Sequence, residues 1–158
     1  MSQQKATFAA GCFWGVEARF RAVPGVLDAA VGYMGGNTSA PTYQQVCSDD
    51  TGHAEVVQLE FDPSQVSYEQ LLDVFFDLHN PTTRNRQGPD FGSQYRSAVF
   101  WHDEAQRDAA ERKIREVDAS GKWPGAVVTE VAAADTFWRA EEYHQRYLEK
   151  NSAGFCRV

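Results

Sequence analysis

The sequence has no long hydrophobic run and no excess of positive charge, and each lack excludes a class of protein. No apolar run approaches the ~20 residues of a membrane helix, and the N-terminus has neither the basic segment nor the apolar stretch of a secretory signal. Asp and Glu number 22 against 15 Lys and Arg, a net charge of −7. Such a chain repels phosphate backbones and anionic bilayers, so we expect neither nucleic acid nor a membrane as partner. The lack of a secretory signal and of a membrane helix predicts a cytoplasmic location.

Cysteine is also scarce, with only Cys12, Cys47 and Cys156, none of them in a C-x-x-C pair. This spacing excludes a zinc ribbon, and an odd count argues against the disulfide framework of a small secreted protein. The four histidines stand singly rather than at metal-ligand spacing, so we predict no metal and no cofactor. Each cysteine is therefore either a buried small hydrophobe or a reactive thiol.

Hydrophobic residues make up 42% of the 158 residues, enough for one domain with its own core, spanning residues 1–158. We expect the protein to be a monomer. Apolar periodicity predicts an α/β (α+β) fold with a ferredoxin-like βαββαβ core, a mainly antiparallel mixed sheet with helices packed on it. The six core elements are expected at residues 5–10, 14–22, 26–34, 53–62, 67–78 and 96–102. A helix at 104–118, a strand near 126–131, a C-terminal helix at 139–150 and a tail complete the prediction.

Cys12 is the best candidate nucleophile, because Gly11-Cys12-Phe13-Trp14-Gly15 lies where a strand passes into a helix. Free backbone N–H groups and the helix dipole favour a thiolate there. The alternative is a buried cysteine at a tight turn with Phe13 and Trp14 in the core. A phosphatase loop is excluded, because two bulky rings prevent the backbone from cradling a phosphate.

Glu55 shares the parity of Val57, Leu59 and Phe61 in an alternating strand, so its carboxyl group is expected on the apolar face. Burial would raise its pKa and leave a protonated acid at neutral pH. The alternative is a strand-terminal acid that reaches solvent.

Other candidates have structural interpretations when taken alone. Tyr43 and Tyr95 suit packing, Asp90 suits an ordinary turn, and Cys47 is expected to be a buried small hydrophobe. The spacing of Phe137, Glu141, Tyr143 and His144 indicates a structural helix face. Residues 80–94 form a connection long enough to suggest a functional loop.

Several motifs together resemble the peptide methionine sulfoxide reductase A family, over nearly the whole chain. They are Gly11 to Gly15, Gly32-Tyr33-Met34-Gly35-Gly36, Tyr43-Gln44-Gln45-Val46-Cys47, Thr51-Gly52-His53-Ala54-Glu55-Val56, Arg86 to Ser97, and Ala140-Glu141-Glu142-Tyr143-His144-Gln145. The chain departs from the family pattern at Met34, at Pro89 and Phe91 around Asp90, and at Trp138-Arg139.

The resemblance implies reduction of methionine S-sulfoxide, free or in oxidised proteins, with thioredoxin or a similar dithiol as reductant. It implies Cys12 as nucleophile, Glu55 as acid, and Cys156 in the tail as the recycling thiol. It further implies that Tyr43 and Tyr95 hold the sulfoxide oxygen, that Phe13 and Trp14 enclose the methyl group, and that Asp90 belongs to the site. The residues alone leave open a thiol peroxidase and a non-enzymatic peptide-binding module, and Cys47 as an alternative recycling thiol.

Overall fold

A six-stranded sheet forms the centre of the computed structural model, which describes residues 3–48 and 51–150. The strands of the chain are β1 (Gln4–Ala10), β2 (Val26–Met34), β3 (Ala54–Phe61), β4 (Arg86–Gln87), β5 (Asp90–Phe91), β6 (Ser97–Trp101), β7 (Glu130–Ala133) and β8 (Trp138–Arg139). The sheet order is β7-β6-β1-β3-β2-β8, with β6 and β7 parallel and the other neighbours antiparallel. The middle four strands have the order of a split βαββαβ unit, so the predicted fold class is confirmed.

The two faces of the sheet are covered differently. The helices are α1 (Phe13–Arg21), α2 (Tyr43–Cys47), α3 (Tyr68–Leu78), α4 (Glu104–Ser120) and α5 (Tyr147–Lys150). The main core lies between one sheet face and α1 and α3, where the Phe8 ring stacks on Phe20 at 5.2 Å and on Phe75 at 5.1 Å. A smaller cluster on the opposite face includes Met34 and Phe100, with Phe137 packed against it. No helix in the described residues is long and apolar enough to cross a membrane.

The C-terminal part departs from the sequence prediction. The predicted strand near 126–131 lies later, as β7, and the predicted helix over 139–150 is wrong. That segment instead holds the end of β8, a 3-10 helix at Glu142–His144 and the short α5. The buried Gln145 side chain bonds both the N–H and the carbonyl of Val31, which anchors the chain along β2. Arg146 then has a φ of 55°, a conformation that ends any regular helix at this point.

Two segments that lie outside the predicted helices and strands contain short ordered elements. In the first, α2 begins with a capping box between Thr42 and Gln45. In the second, β4 and β5 form a hairpin that leads into a 3-10 helix at Ser93–Tyr95. The Gln87 side amide bonds both the N–H and the carbonyl of Asn80, so the middle of this long connection is held against its first residue.

Candidate active site

Cys12 lies at the N-cap of α1, in the turn that follows β1. Gly11 makes this turn with a φ of 98°, which a residue with a side chain rarely adopts. The Cys12 side chain is nearly buried, and its sulfur is disulfide-bonded, whereas Cys47 is a free cysteine. The helix N-terminus favours negative charge on the Cys12 sulfur once that sulfur is reduced.

Glu55 is buried on the α1 side of the sheet, as the strand parity predicts. Its Oε1 accepts a hydrogen bond from the backbone N–H of Phe13 at 3.2 Å, so the carboxyl group lies beside the residue that follows Cys12. Its Oε2 is buried and has no hydrogen-bond partner among the described residues. Burial, reinforced by the charge of Asp90, raises the pKa of Glu55 to about 8 despite the Phe13 hydrogen bond. The carboxyl group is therefore protonated at neutral pH.

Tyr43 and Tyr95 come from different elements and approach the same place. Tyr43 begins α2, where its backbone N–H donates to Glu141 Oε2 at 3.0 Å, and Tyr95 ends the 3-10 helix that follows β5. Burial and the charge of Glu55 raise the pKa of both phenols, so both hydroxyls keep their protons. Asp90 is half-buried on the hairpin just before Tyr95, and its charge reaches both Glu55 and Tyr95.

Phe13 and Trp14 form an aromatic group at the start of α1. The Phe13 ring centre lies 6.4 Å from that of Tyr43, and the Trp14 ring stacks on Tyr147 at 3.8 Å. The Trp14 indole N–H donates to Nδ1 of the buried His144 at 3.0 Å. These contacts fix both rings beside Tyr43 and give the site an apolar wall.

Sequence reasoning gave no site role to three residues that hold this group in place. His144 packs between Phe13 and Tyr43, with ring centres 5.3 and 4.3 Å away, and Tyr147 covers Trp14. Glu141 accepts hydrogen bonds from the Tyr33 hydroxyl and from Tyr43 N–H, both at 3.0 Å. The prediction of a structural helix face for Glu141 and His144 is wrong. The available signal was the motif from Ala140 to Gln145, which matches the family pattern.

The prediction that Cys47 is a buried small hydrophobe is also wrong. Its side chain is exposed at the end of α2. The side chains of Tyr43 and Tyr95 lie near its thiol, which the charges of Glu55 and Glu141 also reach. Cys47 therefore lies at the mouth of the site.

The predicted residues thus fall into two sets. Cys12, Phe13, Trp14, Tyr43, Glu55, Asp90 and Tyr95 are brought together, whereas Cys156 lies outside the described residues. Within the part of the chain that the structure describes, no group of His, Cys, Asp and Glu is arranged to hold a metal ion.

Comparison with known proteins places this site in a family of enzymes. Residues 4–158 match the family model described as peptide methionine sulfoxide reductase. A peptide methionine sulfoxide reductase MsrA of Methanoculleus marisnigri is 57% identical over 157 residues, which is 99% of this chain and 96% of that protein. The chain belongs to the peptide methionine sulfoxide reductase family, and the predictions of family and of an oxidoreductase are confirmed.

Solved structures agree with the fold. Reduced Mxr1 from Saccharomyces cerevisiae has a TM-score of 0.92 and 38% identity, covering 98% of this chain and 89% of that one. Mxr1 in complex with Trx2 matches with a TM-score of 0.64 and 26% identity, covering 92% of this chain and 84% of that one.

Proposed function

We propose that this protein reduces methionine S-sulfoxide, free or in oxidised polypeptides, with Cys12 as nucleophile and Glu55 as acid. One observation carries the proposal. A buried, protonated carboxyl group with a free oxygen lies beside a cysteine at a helix N-terminus. A sulfoxide has a polarised S–O bond, so its reduction needs a soft nucleophile for sulfur and a proton for oxygen.

In the proposed step the Cys12 thiolate takes the oxygen from the substrate, and its sulfur is oxidised while the substrate sulfur is reduced. The thiolate attacks the sulfoxide sulfur, and Glu55 delivers the proton to oxygen from its unpartnered Oε2. The attack forms a bond between the two sulfur atoms. The hydroxyl then passes from the substrate sulfur to the Cys12 sulfur, the sulfur–sulfur bond breaks, and methionine leaves with Cys12 as a sulfenic acid. The hydroxyls of Tyr43 and Tyr95 hold the oxygen, and Phe13 and Trp14 enclose the methyl group.

Burial is the main cause of the raised pKa of Glu55, and the Asp90 carboxylate adds a like charge that raises it further. Without that charge the pKa of Glu55 would lie lower, and less of the acid would be available at neutral pH. This is the role we assign to Asp90 in the site.

Recycling completes the cycle. The Cys156 thiol attacks the Cys12 sulfenic acid, a disulfide forms and water leaves; a thioredoxin-like dithiol then reduces that disulfide and is itself oxidised. The free state of Cys47, beside a disulfide-bonded Cys12, supports a recycling thiol other than Cys47. The Mxr1 complex with Trx2 supports thioredoxin as the class of reductant. We further propose a single-domain, monomeric protein of the cytoplasm, in keeping with its sparse cysteines.

A comparison of oxidants tests the function. The purified protein is given methionine S-sulfoxide, methionine R-sulfoxide or hydrogen peroxide, with thioredoxin, its reductase and NADPH. We expect turnover with the S form only, lost in Cys12→Ser. Preferential turnover of peroxide would make the protein a thiol peroxidase. Peptide binding that survives Cys12→Ser, without reductase activity in the unmodified protein, would make it a binding module.

A further inference from the structure

Glu17 is a buried carboxylate that the proposed reaction does not use. It lies on α1, three positions after Trp14, and only 1% of its surface is exposed. Its Oε2 accepts a hydrogen bond from Nε of Arg21 at 3.1 Å, and its Oε1 accepts one from the backbone N–H of Arg146 at 2.8 Å. A buried carboxylate is costly unless its oxygens are paired, so both contacts hold this side chain firmly in place.

The backbone partner of Glu17 lies at a bend of the chain. Arg146 has a φ of 55°, in the left-handed region that a residue with a side chain rarely adopts. Such a conformation persists where surrounding contacts hold it, and the bond from Arg146 N–H to Glu17 joins residues 129 positions apart in the sequence. Arg21 completes the support, because its guanidinium also donates to the Ala29 carbonyl on β2. Glu17 therefore links α1, β2 and the bend at Arg146.

The residues on either side of this bend hold the Trp14 ring. Tyr147, which follows Arg146, stacks on the indole with ring centres 3.8 Å apart and an angle of 10° between the planes. His144, two positions before Arg146, accepts the indole N–H at its Nδ1 at 3.0 Å. A shift of the bend would therefore move both supports of the indole at once. Glu17 and Trp14, one turn apart on α1, thus hold the same segment at adjacent points.

We propose that Glu17 is a positioning residue, which fixes the bend at Arg146 and thereby sets how closely the Trp14 ring encloses the methyl group of the sulfoxide. The inference rests on the function proposed above and adds a residue that decides the size of the alkyl group admitted beside the substrate sulfur. The effect of Glu17 reaches the substrate through the bend, its two flanking rings and the indole. It should therefore act on the fit of the alkyl group rather than on the chemical step.

The alkyl group of the substrate provides the test. Ethionine S-sulfoxide has one methylene more than methionine S-sulfoxide, and a rigid methyl pocket should reject it. Glu17→Ala should raise KM for the methionine compound and shift the ratio of the two kcat/KM values about three- to tenfold toward the ethionine compound, part of the ~10–200-fold that one methylene can be worth in a pocket. The single-turnover rate at saturating methionine S-sulfoxide should stay within about twofold. A merely structural role would lower kcat/KM for both substrates in proportion.

Two variants control for the substitution. Glu17→Gln keeps an oxygen that can accept the Arg146 N–H, so its preference between the two substrates should remain close to that of the unmodified protein. Arg19→Ala removes a half-exposed side chain of the same helix, whose guanidinium lies 3.8 Å from the Asp77 carboxylate, and should change neither KM nor the preference.

Amide hydrogen exchange needs no turnover and so separates this inference from the proposed function. Glu17→Ala should speed exchange of the Arg146 N–H by about tenfold or more, while the N–H groups of β1 and β3 keep their protection. If Glu17→Ala does not fold, Glu17→Met, which is of similar size and removes both acceptors, provides the same measurements. Unchanged exchange at Arg146, or an unchanged substrate preference, overturns the role of Glu17. A protein without sulfoxide reductase activity overturns the function instead, while the exchange still tests the contact between Glu17 and Arg146.

Discussion

Two opposing influences act on the Glu55 carboxyl group, which accepts a hydrogen bond from the backbone N–H of Phe13 and yet has a pKa raised to about 8. The Phe13 N–H favours the charged form, but burial opposes it more strongly, so burial decides the protonation state. The two oxygens thereby take different roles, since Oε1 accepts from the helix and Oε2 remains available to donate a proton.

Replacement of Glu55 tests the acid role at the level of one residue. Glu55→Ala should slow the single-turnover reductase step by ~10²–10⁴-fold, and Glu55→Gln less, because an amide can still donate a hydrogen bond. In the unmodified protein the step should slow as the pH rises through about 8, since Glu55 loses its proton there. Stopped-flow release of methionine measures both effects. An unchanged rate in Glu55→Ala would remove Glu55 from the mechanism.

Trp14 provides the second prediction at this scale. Its ring is fixed by Tyr147 and His144, so it offers a rigid wall for the methyl group of the substrate. Trp14→Ala should lower kcat/KM by about ten- to two-hundredfold, because a hydrophobic pocket gains about this factor from enclosing one small apolar group of the substrate. Reduced Cys12 should still react with iodoacetamide in this variant. If alkylation is lost as well, the substitution has disrupted the start of α1 and the prediction fails.

His79 links two elements, α3 and β6, on the buried side of the sheet. Its ring bonds the Phe75 carbonyl through Nδ1 at 2.6 Å and the Ser97 hydroxyl through Nε2 at 2.7 Å. Ser97 is bonded in turn to Thr129, which precedes β7. Burial lowers the pKa of His79 from 6.5 to about 4, so the folded protein keeps this ring neutral.

The stability of this contact should depend on pH in a defined range. The unfolded chain binds a proton at His79 below pH 6.5, whereas the folded chain does so only below about 4. The contribution of His79 is therefore present above pH 6.5 and is lost as the pH falls toward about 4. Urea unfolding at a series of pH values should show this loss, and His79→Gln should show a smaller dependence over the same range. Equal pH dependence in both proteins would contradict the prediction.

At the scale of the whole molecule, the site depends on residues brought together from distant parts of the chain. The proposed nucleophile lies at the start of α1 and the proposed acid on β3. The two phenols come from α2 and from the 3-10 helix before β6, and the segment after β8 supplies the residues that support them. The sheet connects these elements, because β3 pairs with β1 on one side and with β2 on the other.

The prediction that belongs to this scale concerns recycling by Cys156. Cys156→Ser should release one methionine per protein and accumulate a sulfenic acid on Cys12, but should not turn over with thioredoxin. Mass spectrometry of the oxidised, unmodified protein should find Cys12 linked to Cys156. A linkage to Cys47, with full thioredoxin-dependent turnover in Cys156→Ser, would transfer the recycling role to Cys47.

The sequence by itself determined the core of the fold and the burial of Glu55 beside the turn that holds Cys12. Strand parity placed Glu55 on the buried face, and the glycines around Cys12 marked the turn from β1 into α1, because both signals are local in the chain. Tertiary structure decided what depends on distant contacts. The segment after β8 is held by Gln145 against β2 instead of forming a helix, which brings His144 and Glu141 to the aromatic residues of the site. Cys47 is likewise exposed at the end of α2 rather than buried, because the position of this short helix on the fold, and not the local sequence, decides which of its residues reach solvent.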